Sequence, residues 1–321
     1  MESDELEHLG VSLRPAYTSW PELRDYGLLV DELGYDSLWT SDHFMGSRDD
    51  LDAPTFECWQ VLATWGALTR QTRVGPLVSG NTYRHPAVLA NMAVTLDHIT
   101  GGRAILGMGA AWFAAEHEAY GIRYGTVAQR LDWLEEAAAV VRSLLDQPRT
   151  TLSGAHYRLT DAPCEPKPVQ PRLPIMLGGG GERRTLRIVA RYADLWNCFG
   201  SPETLVHKIA VLHRHCAEVG RDPTEILPTV SLVVVVRDSR ALVESRRAEA
   251  QAANPGEDIE LDVAGSPDEV ADFLARYWLV GVRGFVVDVP APFDAETLDR
   301  LIREVRPALR GRIEHIGQDV G

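Results

Sequence analysis

The alternation of short apolar runs with amphipathic helical stretches constrains this chain more than any other feature. Strand-type runs fall at 11–13, 37–40, 73–78, 103–108, 174–177, 195–199, 227–236 and 284–289. Helical patterns follow them at 21–33, 56–69, 86–99, 127–145, 183–193, 202–219, 267–280 and 295–305. The stretch at 21–33 carries its own punctuation, with Ser19 as cap, Pro21 at the start and Gly34 just past the end. The stretch at 127–145 is apolar at Leu131, Leu134, Ala138, Val141 and Leu145, a spacing that keeps one helix face dry. Eight strands alternating with eight helices predict an α/β chain folded as a (β/α)8 TIM barrel. A doubly wound open sheet is the alternative; eight near-even units favour closure. The 321 residues suit one large barrel. The expected organisation is an N-terminal extension at 1–10 and a single barrel domain at 11–321.

Three connections exceed what a compact barrel needs: 112–126 after strand four, 147–172 before strand five, and 237–265 after strand seven. The second contains Thr150-Thr151-Leu152, Gly154 and Tyr157-Arg158-Leu159, which reads as a small hairpin. Extra segments of this kind are usually lids or disordered loops.

Charge and cysteine usage remove several functions. A net charge of -14 argues against nucleic acid as a main partner. The acidic start of the chain lacks the basic and apolar regions of a secretory signal. The longest apolar run, near 231–236, is far short of a membrane span. Cys58, Cys164, Cys198 and Cys216 form no C-x-x-C pair and no zinc spacing, which points to free thiols in a reducing cytoplasm. The chain has no H-E-x-x-H or G-x-S-x-G motif for metal hydrolysis or triad chemistry. Lys167 and Lys208, its only lysines, do not fall on strands where a Schiff base would form.

The residues that suggest chemistry sit where strands end, the rim at which parallel barrels bind ligands. Strand two runs into Ser41-Asp42-His43-Phe44, a carboxylate beside an imidazole, which suits acid–base work or a loop-start Asp with a surface His. Strand three runs into Ser79-Gly80-Asn81-Thr82-Tyr83-Arg84-His85-Pro86; Gly-Asn and Pro are also ordinary turn and helix-start residues. Strand four ends in Gly107-Met108-Gly109-Ala110-Ala111, small residues against which a flat ligand can lie, and then Trp112 and Phe113. Strand five runs into Gly178-Gly179-Gly180-Gly181-Glu182-Arg183-Arg184; its backbone N–H groups and the following helix N-terminus suit a phosphate. Glu57 reads as a helix-dipole residue, and Glu116, His117 and Glu118 read as a solvated loop. A phosphate cradle, a small-residue shelf and an Asp–His pair around one mouth suit a planar phosphorylated cofactor.

These segments, together with Thr95 to Arg103, resemble in content and order the bacterial luciferase-like flavin and deazaflavin oxidoreductases. The Gly80 to Arg84 loop and the four glycines most resemble the branch that uses coenzyme F420. The resemblance implies a barrel, usually a homodimer, with the deazaflavin over the strand C-termini. It implies that Asp42 and His43 lie near the ring, that Leu77, Ser79, Gly80, Asn81 and Thr82 bound its other side, and that a non-prolyl cis peptide falls near Pro76-Leu77-Val78. It further implies that Gly109, Ala110 and Ala111 flank the cofactor chain and that Gly178, Gly179, Gly180 and Gly181 hold its phosphate. Some sugar-phosphate dehydrogenases of the branch place a carboxylate just after the strand-four glycines, where this chain has Trp112. His43 is therefore the expected proton donor, with Asp42 as its orienter, and Phe44, Trp112 and Phe113 as substrate contacts. The expected activity is F420-dependent hydride transfer with a small alkene, imine, carbonyl or alcohol. The alternative is an FMN-dependent monooxygenase using reduced flavin and O2.

Overall fold

The computed structural model describes residues 8–319. Residues 1–7 of the expected extension lie outside the described residues, and His8 already opens the first strand. The barrel strands are β1 (His8–Leu13), β2 (Ser37–Thr40), β3 in two segments (Arg73–Pro76 and Ser79–Gly80), β4 (Leu106–Gly109), β5 (Ile175–Gly178), β6 (Leu195–Cys198), β7 (Leu227–Leu232) and β8 (Gly284–Val289). Their order around the sheet begins on the first segment of β3, runs through β2, β1, β8, β7, β6, β5 and β4, and returns to the second segment of β3. The barrel thus closes through one interrupted strand, and every pairing in it is parallel.

The helices are α1 (Trp20–Leu33), α2 (Cys58–Leu68), α3 (Pro86–Thr100), α4 (Ala114–Tyr120), α5 (Val127–Asp146), α6 (Thr185–Tyr192), α7 (Pro202–Val219), α8 (Arg240–Ala253), α9 (Pro267–Leu279), α10 (Ala295–Arg300) and α11 (Arg306–Asp319). Ser19 caps α1 by accepting from the Glu22 N–H, and Gly34 ends it at φ 82°. None of the described helices is long and apolar enough to cross a membrane.

Three expectations change. The run at 227–236 is two strands: β7 stays in the barrel, while Val234–Val236 leaves it to pair with Val263–Gly265. The segment at 237–265 carries α8, capped by Ser239, rather than an unstructured loop. The last helix extends beyond 305, through a wide turn at Leu301–Val305 into α11. Pro307 supplies no N–H to the turn before it, a local reason for the irregularity.

Strand alternation sorts the core into two shells. Trp39, Ile105, Met176, Leu195 and Val286 fill the barrel interior. The opposite faces, such as Leu38, Leu106 and Val287, pack under the helices. Two residues on, the inward parity continues with Gly107, Gly178, Asn197 and Asp288, so these positions face the mouth.

One buried carboxylate ties the outer shell together on the far side of the barrel. Asp31, at the end of α1, accepts the N–H groups of Arg70, Gln71 and Thr72 at 2.9, 3.0 and 2.8 Å. Burial alone would push its carboxyl up, but the Thr72, Gln71 and Arg70 N–H groups outweigh that and hold it below its ordinary value. A lowered folded pKa adds stability above the ordinary carboxylate value, lost as pH falls through the folded one. Asp31→Asn is expected to cost about 1–3 kcal/mol in urea denaturation at neutral pH, with the deficit shrinking below about pH 4.

Candidate active site

The mouth is floored by glycine. The Leu77–Val78 bond is cis, and the Val78 side chain lies across the ends of β4 and β5. A Cβ on Gly109 would stand 2.6 Å from Val78 Cγ2, one on Gly178 3.0 Å from the same atom, and one on Gly107 3.1 Å from Val78 Cγ1. Gly109 and Gly178 therefore leave room for Val78, while Gly107 chiefly lets β4 pass the Pro76 carbonyl, 2.0 Å from where its Cβ would stand; together they make a shallow floor suited to a planar ring. Gly109 and Gly178 serve this packing, beside any contact with a ligand.

His43 lies just past the end of β2 with its ring about one-fifth exposed. Its Nδ1 lies 3.2 Å from Glu116 Oε2, and its edge meets Trp112 and Phe113 at 5.2 and 5.7 Å. Asp42 is not its orienter. The fully buried Asp42 carboxylate takes both terminal nitrogens of Arg84, at 2.5 and 3.2 Å, and Arg84 also reaches Glu57 at 2.7 Å. Burial pulls the Arg84 guanidinium down, but Asp42 and then Glu57 more than offset it, so the cation is retained. Glu57 is thus both cap of α2 and second anchor of Arg84.

Glu116 is the residue that sequence reasoning assigned wrongly. It belongs to α4 and is fully buried with His117, whereas Glu118 is exposed. Its carboxylate accepts from the Tyr83 hydroxyl and the N–H groups of Phe44 and Met45, besides facing His43. Burial pushes this carboxyl up, but the bonds from His43, Tyr83 and Phe44 outweigh it and hold it below its ordinary range. An ionised Glu116 fixes the ring through Nδ1 and leaves Nε2 as the group free to exchange a proton. His117 completes the support: Nε2 lies 2.6 Å from Thr82 Oγ1, Nδ1 2.7 Å from the Phe113 carbonyl, and the ring stacks on Tyr83 at 4.8 Å. The signal that could have located α4 was Gly121, its left-handed C-cap.

The remaining expected residues divide. Ser79 points away from the mouth; its hydroxyl oxygen accepts from the Trp59 indole N–H at 2.9 Å, and its O–H is left to donate to Asp42. Gly80 makes room for the Tyr83 ring. Asn81 is buried with Nδ2 lacking an acceptor among the described residues. Leu77, part-exposed, donates its N–H to the Thr40 carbonyl at 2.9 Å. The Ala110 carbonyl accepts from Arg130, and Ala111 takes a left-handed φ of 59°. Phe44 packs between Tyr83 and Tyr120 at 5.0 and 5.9 Å. Trp112 is half exposed and stacks flat on the buried Phe113 at 5.2 Å.

The glycine run after β5 keeps its capacity for an anion. Gly179 takes φ 118°, which a glycine adopts without strain. Its carbonyl accepts from Trp196 and that of Gly180 from Lys208 Nζ at 2.7 Å. The N–H groups of residues 180–185 meet no acceptor among the described residues, and α6 begins directly behind them. Arg184 turns away to Asp132, leaving exposed Arg183 beside the cradle. Lys208 is a cation at this site that the sequence alone did not place.

The sequence model of the luciferase-like monooxygenase family matches residues 6–264. An F420-dependent glucose-6-phosphate dehydrogenase of Microbacterium testaceum (strain StLB037) is 28% identical over 91% of this chain and 94% of its own. Among solved structures, an F420-dependent secondary alcohol dehydrogenase in complex with an F420-acetone adduct superposes with TM-score 0.81 at 20% identity, covering 95% of this chain and 99% of that one. The long-chain alkane monooxygenase LadA superposes with TM-score 0.77 at 17% identity, covering 95% and 91%. At these identities the structural likenesses establish the shared barrel.

Proposed function

Because the chain belongs to the luciferase-like monooxygenase family, we propose that it is an F420-dependent oxidoreductase in which His43 exchanges the proton that accompanies hydride transfer. The observation that carries this reading is a partly exposed His43 held by the buried Glu116 on the same rim as the Val78–glycine floor. The identities of its sequence relatives support the cofactor. The free N–H groups at 180–185 and the glycine floor fit the phosphate and the flat ring of such a cofactor.

When bound, F420 supplies or accepts a hydride at its deazaflavin C5. The chain does the rest. Residues 180–185, with Arg183 and with Lys208 beside its partner Glu182, would hold the phosphate, and the floor of Val78 seated on Gly109 and Gly178 would accept the ring. Trp112 and Phe113 exclude water from one side of His43 and offer an apolar wall to the substrate. His43 Nε2 gives a proton to a carbonyl being reduced or takes one from an alcohol being oxidised, while Glu116 keeps the ring in position.

The test is anaerobic mixing of the protein and F420 with a panel of alcohols, and of reduced F420 with carbonyls and activated alkenes, read by cofactor absorbance. Turnover without oxygen is expected. Turnover only with reduced FMN and O2 would overturn the reading in favour of a monooxygenase.

A further inference from the structure

We propose, resting on the function just given, that Arg14, Asp288 and Glu257 form the substrate-selecting face of the mouth. They admit an uncharged alcohol or carbonyl compound and exclude phosphate esters and carboxylates.

The three groups come from separate parts of the chain. Ser12 pairs with Asp288 across β1 and β8, and Asp288 shares the inward parity of Val286 inside the barrel. Arg14 follows β1 by the same two-residue step. Its Nε and Nη2 donate to Asp288 Oδ2 at 2.9 and 2.6 Å, and its Nη1 donates to the Glu257 carboxylate. Each nitrogen of the fork is thus committed to a carboxylate. Gly256, just before Glu257, is bonded by Ser47 in the loop after β2 that also carries His43, which puts the cluster on the same rim of the mouth.

Glu257 is built into place. The Gly256 carbonyl accepts from Ser47 Oγ at 2.7 Å, and the Glu257 carbonyl accepts from Gln251 Nε2 at 2.6 Å. A Cβ on Gly256 would stand 2.4 Å from Ser47 Oγ and 2.6 Å from the Tyr17 hydroxyl, so the backbone here is wedged between the loops after β1 and β2.

The charge count then decides the ligand. Burial, and Asp288 beside it, push the Glu257 carboxyl up, yet one guanidinium faces two carboxyl groups, so this face has no positive charge to spare. A phosphate or carboxylate arriving here meets repulsion, and it finds the fork of Arg14 already occupied. A hydroxyl meets carboxylate oxygens that accept its hydrogen bond. Arg48 lies over the Trp112 ring at 4.6 Å but is exposed, so water and salt screen it.

Glucose 6-phosphate serves as the probe in calorimetric titrations of wild type, Arg14→Met, Glu257→Gln/Asp288→Asn, and that double variant with Arg14→Met added. The part of binding that Arg14→Met removes reports the mouth; whatever persists belongs to the 180–185 cradle. Wild type is expected to show no Arg14-dependent binding at millimolar concentrations. The double variant is expected to gain affinity about tenfold or more, all of it lost with Arg14→Met. Glu257→Gln alone, on a loop, gives the same sign if the double variant does not fold. Arg14-dependent binding in wild type, or no gain in a folded variant, overturns the proposal. Because the titration needs no turnover, a protein that fails to bind F420 sinks the proposed function and leaves this result to be read on its own.

Discussion

His43→Ala is expected to lower kcat for hydride transfer by roughly 10²–10⁴-fold, the range for loss of a positioned acid–base group. Affinity for F420 is expected to change little, because the floor of Val78 and glycines and the cradle at 180–185 do not depend on this ring. Stability is also expected to survive, since the ring is about one-fifth exposed and bonds only one carboxylate through Nδ1. A single-turnover measurement separates the two: slow hydride transfer at saturating cofactor fits the account, and unchanged transfer contradicts it. Glu116→Gln gives a second arm. Glutamine keeps an acceptor for the Phe44 and Met45 N–H groups but removes the charge facing His43. As a positioning residue, Glu116 is expected to move the pH profile of kcat more than KM.

Arg84→Met is expected to destabilise the protein by roughly 3–5 kcal/mol, the cost of leaving a buried charge without its partner. Asp42 is fully buried, and Arg84 is its bidentate partner; Glu57 adds a second negative charge nearby. Removing the cation therefore leaves one buried carboxylate uncompensated. Asp42→Asn in the same chain is expected to recover part of the loss, since the amide carries no charge. Urea denaturation of the single and double variants checks this. A loss under about 1 kcal/mol for Arg84→Met would mean that water reaches Asp42.

The barrel was legible because its signals are local. Ser37–Thr40, Pro202–Val219 and Gly284–Val289 have the expected bounds, each between turn or cap residues such as Ser201 and Gly220. The four valines at 233–236 misled, because apolar content does not say where a chain leaves the sheet. The rim was legible too, since strand-end motifs must share one mouth. The partnerships on it were not. Asp42 and His43 adjoin in sequence, yet in the loop after β2 their side chains part to different neighbours, Arg84 and Glu116. Glu116 looked like loop because α4 is short and its N-cap, Phe113, makes no side-chain cap bond. Arg14, Asp288 and Glu257 span almost the whole chain: closure of β1 against β8 joins the first two, and packing of the 256–257 loop on the loops after β1 and β2 brings in the third.

The central claim is that the mouth is shaped for a deazaflavin, and equilibrium titration of the protein with F420 and, separately, with FMN tests it most directly. The account predicts saturable F420 binding, weakened by Gly180→Val and Gly181→Val in the cradle, with FMN bound at least about tenfold more weakly, a difference of about 1.4 kcal/mol. Tight FMN binding with no measurable F420 affinity would contradict it.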